Sequence, residues 1–332
     1  MLVSGATGLV GRRLVPRLAE RFATVRVLSR SGGGSGVGNV GPEGGADAAA
    51  GGVLEGGRSR EVAGDGAGRA GVIERRSWDG VDPGAAAITE LDAVVHLAGE
   101  PIFGGLPTAA RRARLRESRV ASTRRIVERI AALAPGARPR VLVCASAVGF
   151  YGDRGEEILA ETAAPGSGFL AELCRDWEEA ATAAEALGLR VVRVRIGVVL
   201  AREGGALALM RIPFSLGVGG RLGSGRQGFP WIHIDDLVEV LLAALEREDL
   251  SGAINAVAPE SVRNLDLTTA LARGLGRPAR IPVPGFALRA LLGPLAGELL
   301  GSRRVVPKRL LETGFVFRHP TLESALAAEL SR

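Results

Sequence analysis

The chain opens with Met1-Leu-Val-Ser-Gly5-Ala-Thr-Gly8-Leu-Val-Gly11, an apolar stretch that runs into three regularly spaced glycines. The residues before Gly5 predict a short strand, and residues 12–21 predict a helix. Glycine lets the backbone turn sharply and approach a diphosphate, while the helix N-terminus offers free N–H groups to the phosphates. The segment therefore predicts a dinucleotide-binding loop, with a glycine-rich turn that binds no ligand as the alternative. The loop comprises Gly5, Ala6, Thr7, Gly8, Leu9, Val10 and Gly11.

Length and composition restrict the class of protein. The 332 residues are 46% apolar, which is enough for a substantial core. No window offers the roughly 18 apolar residues of a membrane span, and the chain opens inside a strand that leaves no room for a secretion signal. We therefore expect a cytoplasmic protein with no membrane partner. Cys144 and Cys174, the only cysteines, are expected in the core, and no metal site is predicted.

The basic charge raises the question of a nucleic-acid partner. The net charge is +6, but Lys308 is the only lysine among 42 lysine and arginine residues, an imbalance typical of genome composition. The arginines at 111–116 and 303–304 are expected on solvated helix faces, and no aromatic residues lie among them to stack on bases. We expect a small-molecule substrate and no nucleic acid.

Strand-like and helical segments alternate along the chain. After the opening strand, strands are predicted at residues 23–29, 72–74, 93–98, 140–145 and 190–195. This alternation is typical of an α/β fold in which helices cover both faces of a parallel sheet. Residues 31–71 interrupt it with glycine, alanine and serine, and they predict a flexible low-complexity insertion.

The end of the second predicted strand indicates which dinucleotide binds. An NAD site carries a carboxylate there for the ribose 2′-OH, whereas this chain has Ser29-Arg30. A guanidinium binds a 2′-phosphate through charge-assisted hydrogen bonds, so NADP is favoured over NAD. An ordinary exposed arginine at a strand end is the alternative. Residues 97–100 and 146–152 also follow strands and are expected to border the cofactor crevice.

Taken together, these segments resemble the extended short-chain dehydrogenase/reductase superfamily, and more specifically its atypical, epimerase-like branch. The tail at 305–310 with Gly314-Phe315 resembles the small C-terminal domain of unknown function in that branch. The matching segments are Gly5–Gly11, Leu97–Ile102, Ser118–Val120 with Thr123, Ser146–Gly152, Phe214–Arg226 and Trp231–Asp236.

The resemblance implies a Rossmann-type doubly wound sheet with a smaller C-terminal α/β substrate region. It divides the chain into an NADP-binding domain at 1–200, a substrate loop and mixed α/β region at 201–278, and a small C-terminal domain at 279–332. Trp78 and Asp79 are expected beside the adenine. Besides the glycine loop, the implied NADP contacts are Ser29 and Arg30 at the adenosine phosphate, Leu97, Ala98 and Gly99 near the ribose, Arg119 from a long helix, and Val199 near the nicotinamide.

One departure from the superfamily concerns its Tyr-x-x-x-Lys pair, which supplies a proton to the substrate oxygen. The sole tyrosine is Tyr151 and the sole lysine is Lys308, so this pair is absent from the sequence. The helix predicted from Phe169 begins with an apolar stripe instead. We predict Ser146 and Tyr151 as catalytic residues, with Glu100 and Cys174 as further candidates. Ordinary structural roles for Ser146 and Tyr151 remain the alternative.

These observations predict an NADP-dependent oxidoreductase or epimerase with a non-standard proton donor. A catalytically inactive NADP-binding sensor or scaffold is the alternative. Downstream, Arg221 and Arg226 in a glycine-rich loop are candidates for an anionic substrate group or simple solubilising residues. His233 is expected to be structural, and Asp235 and Asp236 are expected to cap the helix that follows.

Overall fold

Strands and helices alternate along the chain in this computed structural model, which describes residues 1–30, 52–54, 58–63, 71–102, 105 and 108–331, with the backbone alone for residues 30, 52–54, 58–63 and 294. The strands are β1 (Leu2–Ser4), β2 (Thr24–Arg30), β3 (Gly52–Leu54), β4 (Arg58–Ala63), β5 (Gly71–Trp78), β6 (Ala93–His96), β7 (Val141–Ala147), β8 (Ile158–Leu159), β9 (Arg190–Ile196), β10 (Val198–Ala201), β11 (Gly228–Phe229), β12 (Trp231–His233), β13 (Gly252–Ala256), β14 (Val262–Arg263) and β15 (Arg304–Val305). The helices are α1 (Leu9–Ala19), α2 (Ala85–Ile88), α3 (Ala109–Arg116), α4 (Ser122–Ala131), α5 (Phe169–Thr182), α6 (Gly205–Ser215), α7 (Ile234–Glu246), α8 (Asn264–Gly274), α9 (Gly285–Leu292), α10 (Ala296–Leu300), α11 (Lys308–Glu312) and α12 (Leu322–Leu330).

The central sheet confirms the predicted Rossmann-type fold. Its order is β13-β9-β7-β6-β1-β2-β5-β4-β3, and the pairs from β13 to β5 are all parallel. The chain builds outward from β1 through β2 to β5 and then returns to the other side of β1 to add β6. Ligands of such sheets bind outside the carboxyl ends of the strands at this reversal. The fold therefore places the candidate crevice at the ends of β1 and β6.

Helices bury both faces of the sheet. On one face, Val3 packs with Leu14 of α1 and Leu241 of α7. On the other face, Leu2 packs with Ile126 of α4 and Leu173 of α5. Adjacent residues of β1 thus belong to opposite cores, which explains why the strand is a continuous apolar run rather than an alternating one.

The insertion between β2 and β5 contains strand structure that the sequence did not predict. Residues 52–54 and 58–63 form an antiparallel pair, and β4 continues the sheet antiparallel to β5. These strands form within the predicted insertion because the free edge of β5 supplies backbone partners that low-complexity residues can use. The flexibility of the insertion stays a prediction. The rest of the predicted insertion lies outside the described residues.

The C-terminal residues pair and pack with earlier segments of the fold. β15 pairs with β8, which follows β7, and α12 packs against α8 and β10. β13, from the predicted 201–278 region, completes the parallel sheet beside β9. The predicted domain boundaries stay a prediction.

None of the helices in the described part of the chain is long and apolar enough to cross a bilayer.

Candidate functional site

The glycine loop packs against the end of β6. Gly5 has φ of 75°, and a Cβ added to it would lie 2.8 Å from the backbone nitrogen of Ala98. A Cβ on Gly11 would lie 2.3 Å from the carbonyl oxygen of Gly5. A side chain at Gly5 would collide with the backbone after β6, and a side chain at Gly11 would collide with the loop that precedes α1. The two glycines therefore fix where α1 begins relative to the carboxyl end of the sheet.

The N-terminus of α1 is free of competing caps. Gly8 occupies the capping position without a side-chain hydrogen bond, and the first turn carries no acidic residue. The first N–H groups of a helix lack partners within the helix and carry a partial positive charge. This terminus is therefore suited to bind a phosphate, and its residues fit the diphosphate of a dinucleotide.

A cleft of about 380 Å³ lies next to this terminus. Trp78 and Asp79, which are predicted to lie beside the adenine, form part of its wall. Another cavity, of about 430 Å³, lies at the amino ends of β6, β7 and β9, away from the crevice position typical of this fold. The cleft beside α1 is lined by Gly5, Thr7, Gly8, Leu28, Trp78, Asp79, Gly80, Val81, Leu97, Ala98, Gly99, Glu100, Pro101, Arg114, Glu117 and Ser118.

The predicted cofactor residues separate into two groups. Gly5, Thr7 and Gly8 line the cleft together with residues 97–99. Ala6, Leu9, Val10 and Gly11 do not line it, although they belong to the same loop and helix start.

The three remaining residues that are predicted to contact the cofactor lie on strands β2 and β10. Ser29 pairs with Ser77 at the end of β2, and Val199 is a half-buried residue of β10 that packs on the core. The backbone of Arg30 pairs with Trp78, while its side chain lies outside the described part of the structure. Its predicted contact with a 2′-phosphate stays a prediction.

Arg119 is buried and supports the backbone that lines the cleft after β6. It lies in the π-helical turn Glu117–Ala121 between α3 and α4, where its side chain is buried. Its Nη2 donates a 2.8 Å hydrogen bond to the carbonyl oxygen of Glu100, and its guanidinium lies 5.4 Å from the ring centre of Trp177. Burial lowers the pKa of this guanidinium. Arg119 therefore holds the cleft-lining backbone after β6.

The hydroxyls of Ser146 and Tyr151 both hydrogen-bond within a buried network, and their role as catalytic residues stays a prediction. Ser146 Oγ donates to Glu178 Oε1 over 2.7 Å, and Tyr151 is fully buried. The Tyr151 hydroxyl donates to Asn255 Oδ1 and accepts from Arg195 Nη1, at 2.7 and 2.9 Å. Burial raises the pKa of Tyr151, which makes it a poorer proton donor. Both hydroxyls belong to a structural network.

That network is centred on residues that the sequence analysis missed. Glu178 of α5 and Arg195 of β9 are both buried, and they connect Ser146 to Tyr151. Glu178 lies on the helix face that also carries the buried Trp177 and Ala181. A charged residue within a stripe that is otherwise apolar is the sequence signal that could have identified it, because buried charges need partners.

Two arginines assigned to solvated helix faces are also buried. Arg111 contacts Glu100 over 3.2 Å, and Arg303 contacts Glu298 over 2.7 Å. Their neighbours Arg112, Arg114 and Arg116 are exposed as expected. Arginine clusters therefore contain both solvated and paired members, which sequence alone does not separate.

The other candidates have local partners. Glu100 is paired with Arg111 at the cleft. Cys174 and Cys144 are both buried in the core as predicted, and burial raises the pKa of each to about 12. Arg221 Nη1 donates to the carbonyl oxygen of its own loop residue Gly223 over 2.6 Å.

His233 has the structural role that was expected, but the neighbouring aspartates do not cap α7. His233 Nδ1 accepts from the backbone N–H of Asp235 and thereby caps the helix itself. Its Nε2 lies 2.9 Å from Glu329 Oε1. Asp236 instead accepts the backbone N–H groups of Arg318 and His319. The physical reason is that Asp236 is buried, so its carboxylate takes partners from the returning C-terminal segment.

The sequence matches two family models. The NAD dependent epimerase/dehydratase family model matches residues 1–257, and a domain of unknown function, DUF1731, matches residues 283–329. The second match covers most of the predicted C-terminal domain.

Similar proteins extend over nearly the whole chain. The epimerase family protein SDR39U1 homolog, chloroplastic, of Arabidopsis thaliana is 39% identical over 326 residues, which are 98% of this chain and 85% of that protein. SDR39U1 of Bos taurus is 35% identical, with 98% of each protein covered. A crystal structure of human SDR39U1 (isoform2) with NADPH matches with a TM-score of 0.78 and 31% identity, covering 100% of this chain and 99% of that one.

The glycine loop, the strand order and these matches agree with one another, and the chain belongs to the NAD dependent epimerase/dehydratase family.

Proposed function

We propose that the chain binds NADP in the cleft beside α1 and acts as an oxidoreductase or epimerase on a small-molecule substrate. The observation that carries the proposal is the uncapped N-terminus of α1, which borders a cleft of about 380 Å³. The relative crystallised with NADPH supports the choice of NADP. The cytoplasmic location and the absence of nucleic-acid and membrane partners stay predictions.

Each part of the coenzyme has residues that fit it. The N–H groups at the start of α1 would hold the diphosphate, since no side chain competes for them. Trp78 and Asp79 would lie beside the adenine. Arg30, at the end of β2, would hold the 2′-phosphate. Arg119 would act indirectly by holding the backbone of residue 100 at the cleft.

The nicotinamide of a bound coenzyme supplies hydride transfer, and the protein must provide orientation and a proton. The sequence lacks the tyrosine and lysine pair of the superfamily. Because the hydroxyls of Ser146 and Tyr151 hydrogen-bond within a buried network, we infer that another group supplies the proton if the chain catalyses a carbonyl reduction.

Titration of the purified protein with NADPH and NADH tests the proposal. We expect tighter binding of NADPH, and we expect Arg30→Glu to weaken NADPH more than NADH because it replaces a cation with an anion at the 2′-phosphate. Arg124→Glu, at an exposed position of α4, is the control with the same change in charge. Absence of heat with either coenzyme would refute the proposal, and an equal loss for both would refute the role of Arg30.

A catalytically inactive NADP-binding sensor or scaffold is the second candidate. The buried partners of Ser146 and Tyr151 support it, since both predicted proton donors are already hydrogen-bonded to Glu178 and Asn255. This candidate predicts NADPH binding with no turnover in a screen of carbonyl compounds. Measurable NADPH oxidation by any of them would exclude it.

A further inference from the structure

We propose that Arg114 of α3 binds the diphosphate of the coenzyme. The inference rests on the proposed function, because it requires a nicotinamide dinucleotide in the cleft beside α1. It deepens that function by giving the diphosphate a cationic side chain in addition to the N–H groups that begin α1. The observation that carries it is that Arg114 lines this cleft together with Gly5, Thr7 and Gly8.

Arg114 lies on the helical face that borders the cleft. Residues three or four positions apart share one face of a helix. Glu117 and Ser118, in the π-helical turn that continues α3, line the cleft as Arg114 does. Ser118 Oγ accepts a 3.1 Å hydrogen bond from the backbone N–H of Glu100, which follows β6. This bond holds the cleft face of the helix against the carboxyl edge of the sheet.

The opposite face of α3 packs against α5. The Arg112 guanidinium lies 5.9 Å from the ring centre of Phe169, and Arg116 pairs with Asp176. Both of these partners belong to α5. Arg114 is two positions from each arginine, which is about 200° around a helix of 3.6 residues per turn. Its side chain therefore points away from α5 and shares the cleft with the glycine loop.

The charge of Arg114 has no partner within the described part of the chain. The residue is exposed, and its side chain makes neither a hydrogen bond nor a salt bridge with any described residue. The neighbouring arginines are occupied, since Arg111 pairs with the Glu100 carboxylate and Arg119 donates to the Glu100 carbonyl oxygen. Arg111 and Arg119 thus hold the wall of the cleft, whereas Arg114 is available to a ligand.

The other charges around the cleft are negative. Asp79, Glu100 and Glu117 line it, and Arg114 is the one cationic residue among the described residues of the lining. Asp79 is already engaged, since its Oδ1 accepts the backbone N–H groups of residues 81–82, each over 2.7 Å. A diphosphate is strongly anionic and would be repelled by these carboxylates. A guanidinium offsets the repulsion, and its planar fork can donate two hydrogen bonds to phosphate oxygens.

The diphosphate fits this position better than the 2′-phosphate does. The diphosphate belongs at the N–H groups that begin α1, and Thr7 and Gly8 of that segment line the same cleft as Arg114. The 2′-phosphate belongs at the end of β2, and of this strand only Leu28 is among the described residues that line the cleft. Arg114 is therefore assigned to the phosphates that NADH and NADPH share, and Arg30 keeps its proposed role in choosing between them.

Isothermal titration of wild type and Arg114→Gln with NADPH and NADH tests the assignment. We expect the substitution to weaken both coenzymes by the same factor, about tenfold, because both carry the diphosphate. Arg112→Gln is the matched control: it removes the same charge from the opposite face of α3 and should change either affinity by less than about twofold. Arg114→Lys should lie between wild type and Arg114→Gln, because it keeps the charge and loses the planar fork.

The dependence of affinity on salt is a readout that a purely structural role would not change. Dissolved ions screen an exposed ionic contact, so the affinity of wild type for NADH should fall between about 0.05 and about 0.5 M sodium chloride. We expect a shallower fall for Arg114→Gln and the wild-type slope for Arg112→Gln. A slope in Arg114→Gln equal to that of wild type would overturn the ionic contact.

The outcomes of the titration are distinguishable. If folded wild type binds neither coenzyme, the proposed function and the inference both fail. If wild type binds both and Arg114→Gln binds them equally well, the inference alone fails. A loss confined to NADPH would also overturn it, because it would place Arg114 at the 2′-phosphate. An equal loss in Arg112→Gln would overturn it as an effect of net charge, and circular dichroism confirms that each variant is folded.

Discussion

The guanidinium of Arg195 meets the carboxylate of Glu178 through two hydrogen bonds, from Nε to Oε1 and from Nη2 to Oε2, each 2.8 Å long. Each side chain is only 5% exposed, so the pair is removed from water. It joins β9 to α5. In this chain, the buried face of that helix holds the fold together.

Arg195→Met should lower the free energy of unfolding by about 3–5 kcal/mol, because it leaves the Glu178 carboxylate buried without its main partner. Urea unfolding measures the change. Arg193→Met is the control: Arg193 lies on the same strand, 23% exposed and 3.9 Å from Glu178, and we expect about 1 kcal/mol or less. Equal losses in the free energy of unfolding for the two substitutions would contradict the assignment of Arg195 as the main partner of Glu178.

Tyr151→Phe should destabilise the protein by about 1–3 kcal/mol and leave NADPH affinity unchanged. The substitution removes the donor to Asn255 and an acceptor for Arg195, and both partners are buried. Thermal unfolding and coenzyme titration separate the two effects. Ser146→Ala should behave similarly, since its hydroxyl donates to Glu178. A variant with normal stability and lost turnover would instead restore Tyr151 as a catalytic residue.

Gly11→Ala should weaken NADPH binding by roughly tenfold, which corresponds to about 1.4 kcal/mol. The added methyl group would lie 2.3 Å from the Gly5 carbonyl oxygen and must displace the start of α1. Gly136→Ala is the control, because nothing lies within 4 Å of its added Cβ. Isothermal titration of both variants measures the effect. Unchanged affinity in Gly11→Ala would show that the loop tolerates displacement.

The unfolding free energy should fall as the pH drops below about 6.5, partly because of His96. Burial lowers the pKa of His96 to about 3, whereas an unfolded histidine has a pKa of about 6.5. Between these values the unfolded state binds a proton that the folded state excludes, so stability is present above about pH 6.5 and is lost as the pH falls.

His96→Asn tests this contribution through the slope of stability against pH. We expect the wild-type slope between about pH 6 and pH 4 to exceed that of the variant by about 1.4 kcal/mol per pH unit. Denaturant unfolding at several pH values provides the measurement. Identical slopes would show that His96 titrates normally in the folded protein.

The sheet and the glycine loop could be predicted from sequence because their signals are local. Gly5, Gly8 and Gly11 follow an apolar strand directly, and the central parallel strands β1, β6 and β7 are buried on both faces and therefore read as mainly apolar runs. The strand ends differ by a few residues: residues 72–74 were predicted where β5 spans Gly71–Trp78. The polar residues of β5 obscured its length, since pairing with β2 and β4 stabilises them without an apolar pattern.

The orientation of single side chains could not be predicted in the same way. Ser146 lies near the carboxyl end of β7, where crevice residues are expected, but the alternation of the strand turns its side chain towards Glu178. Arg303 resembles a solvated arginine in sequence and becomes buried only when α10 packs. Such contacts depend on tertiary packing between distant segments.

Because β15 pairs with β8, residues that are synthesised late stabilise a segment that is synthesised much earlier. Asn255 Nδ2 donates to the carbonyl oxygen of Val306, and the backbone N–H of Val306 donates to Leu159, so late residues stabilise the segment after β7. A ribosome releases the glycine loop and the parallel strands before these residues emerge. The nascent chain therefore completes the parallel sheet first and leaves exposed the apolar residues that pack with Leu310 and Leu326, until α11 and α12 are synthesised. During that interval the exposed apolar surface is prone to aggregate and is a target for chaperones.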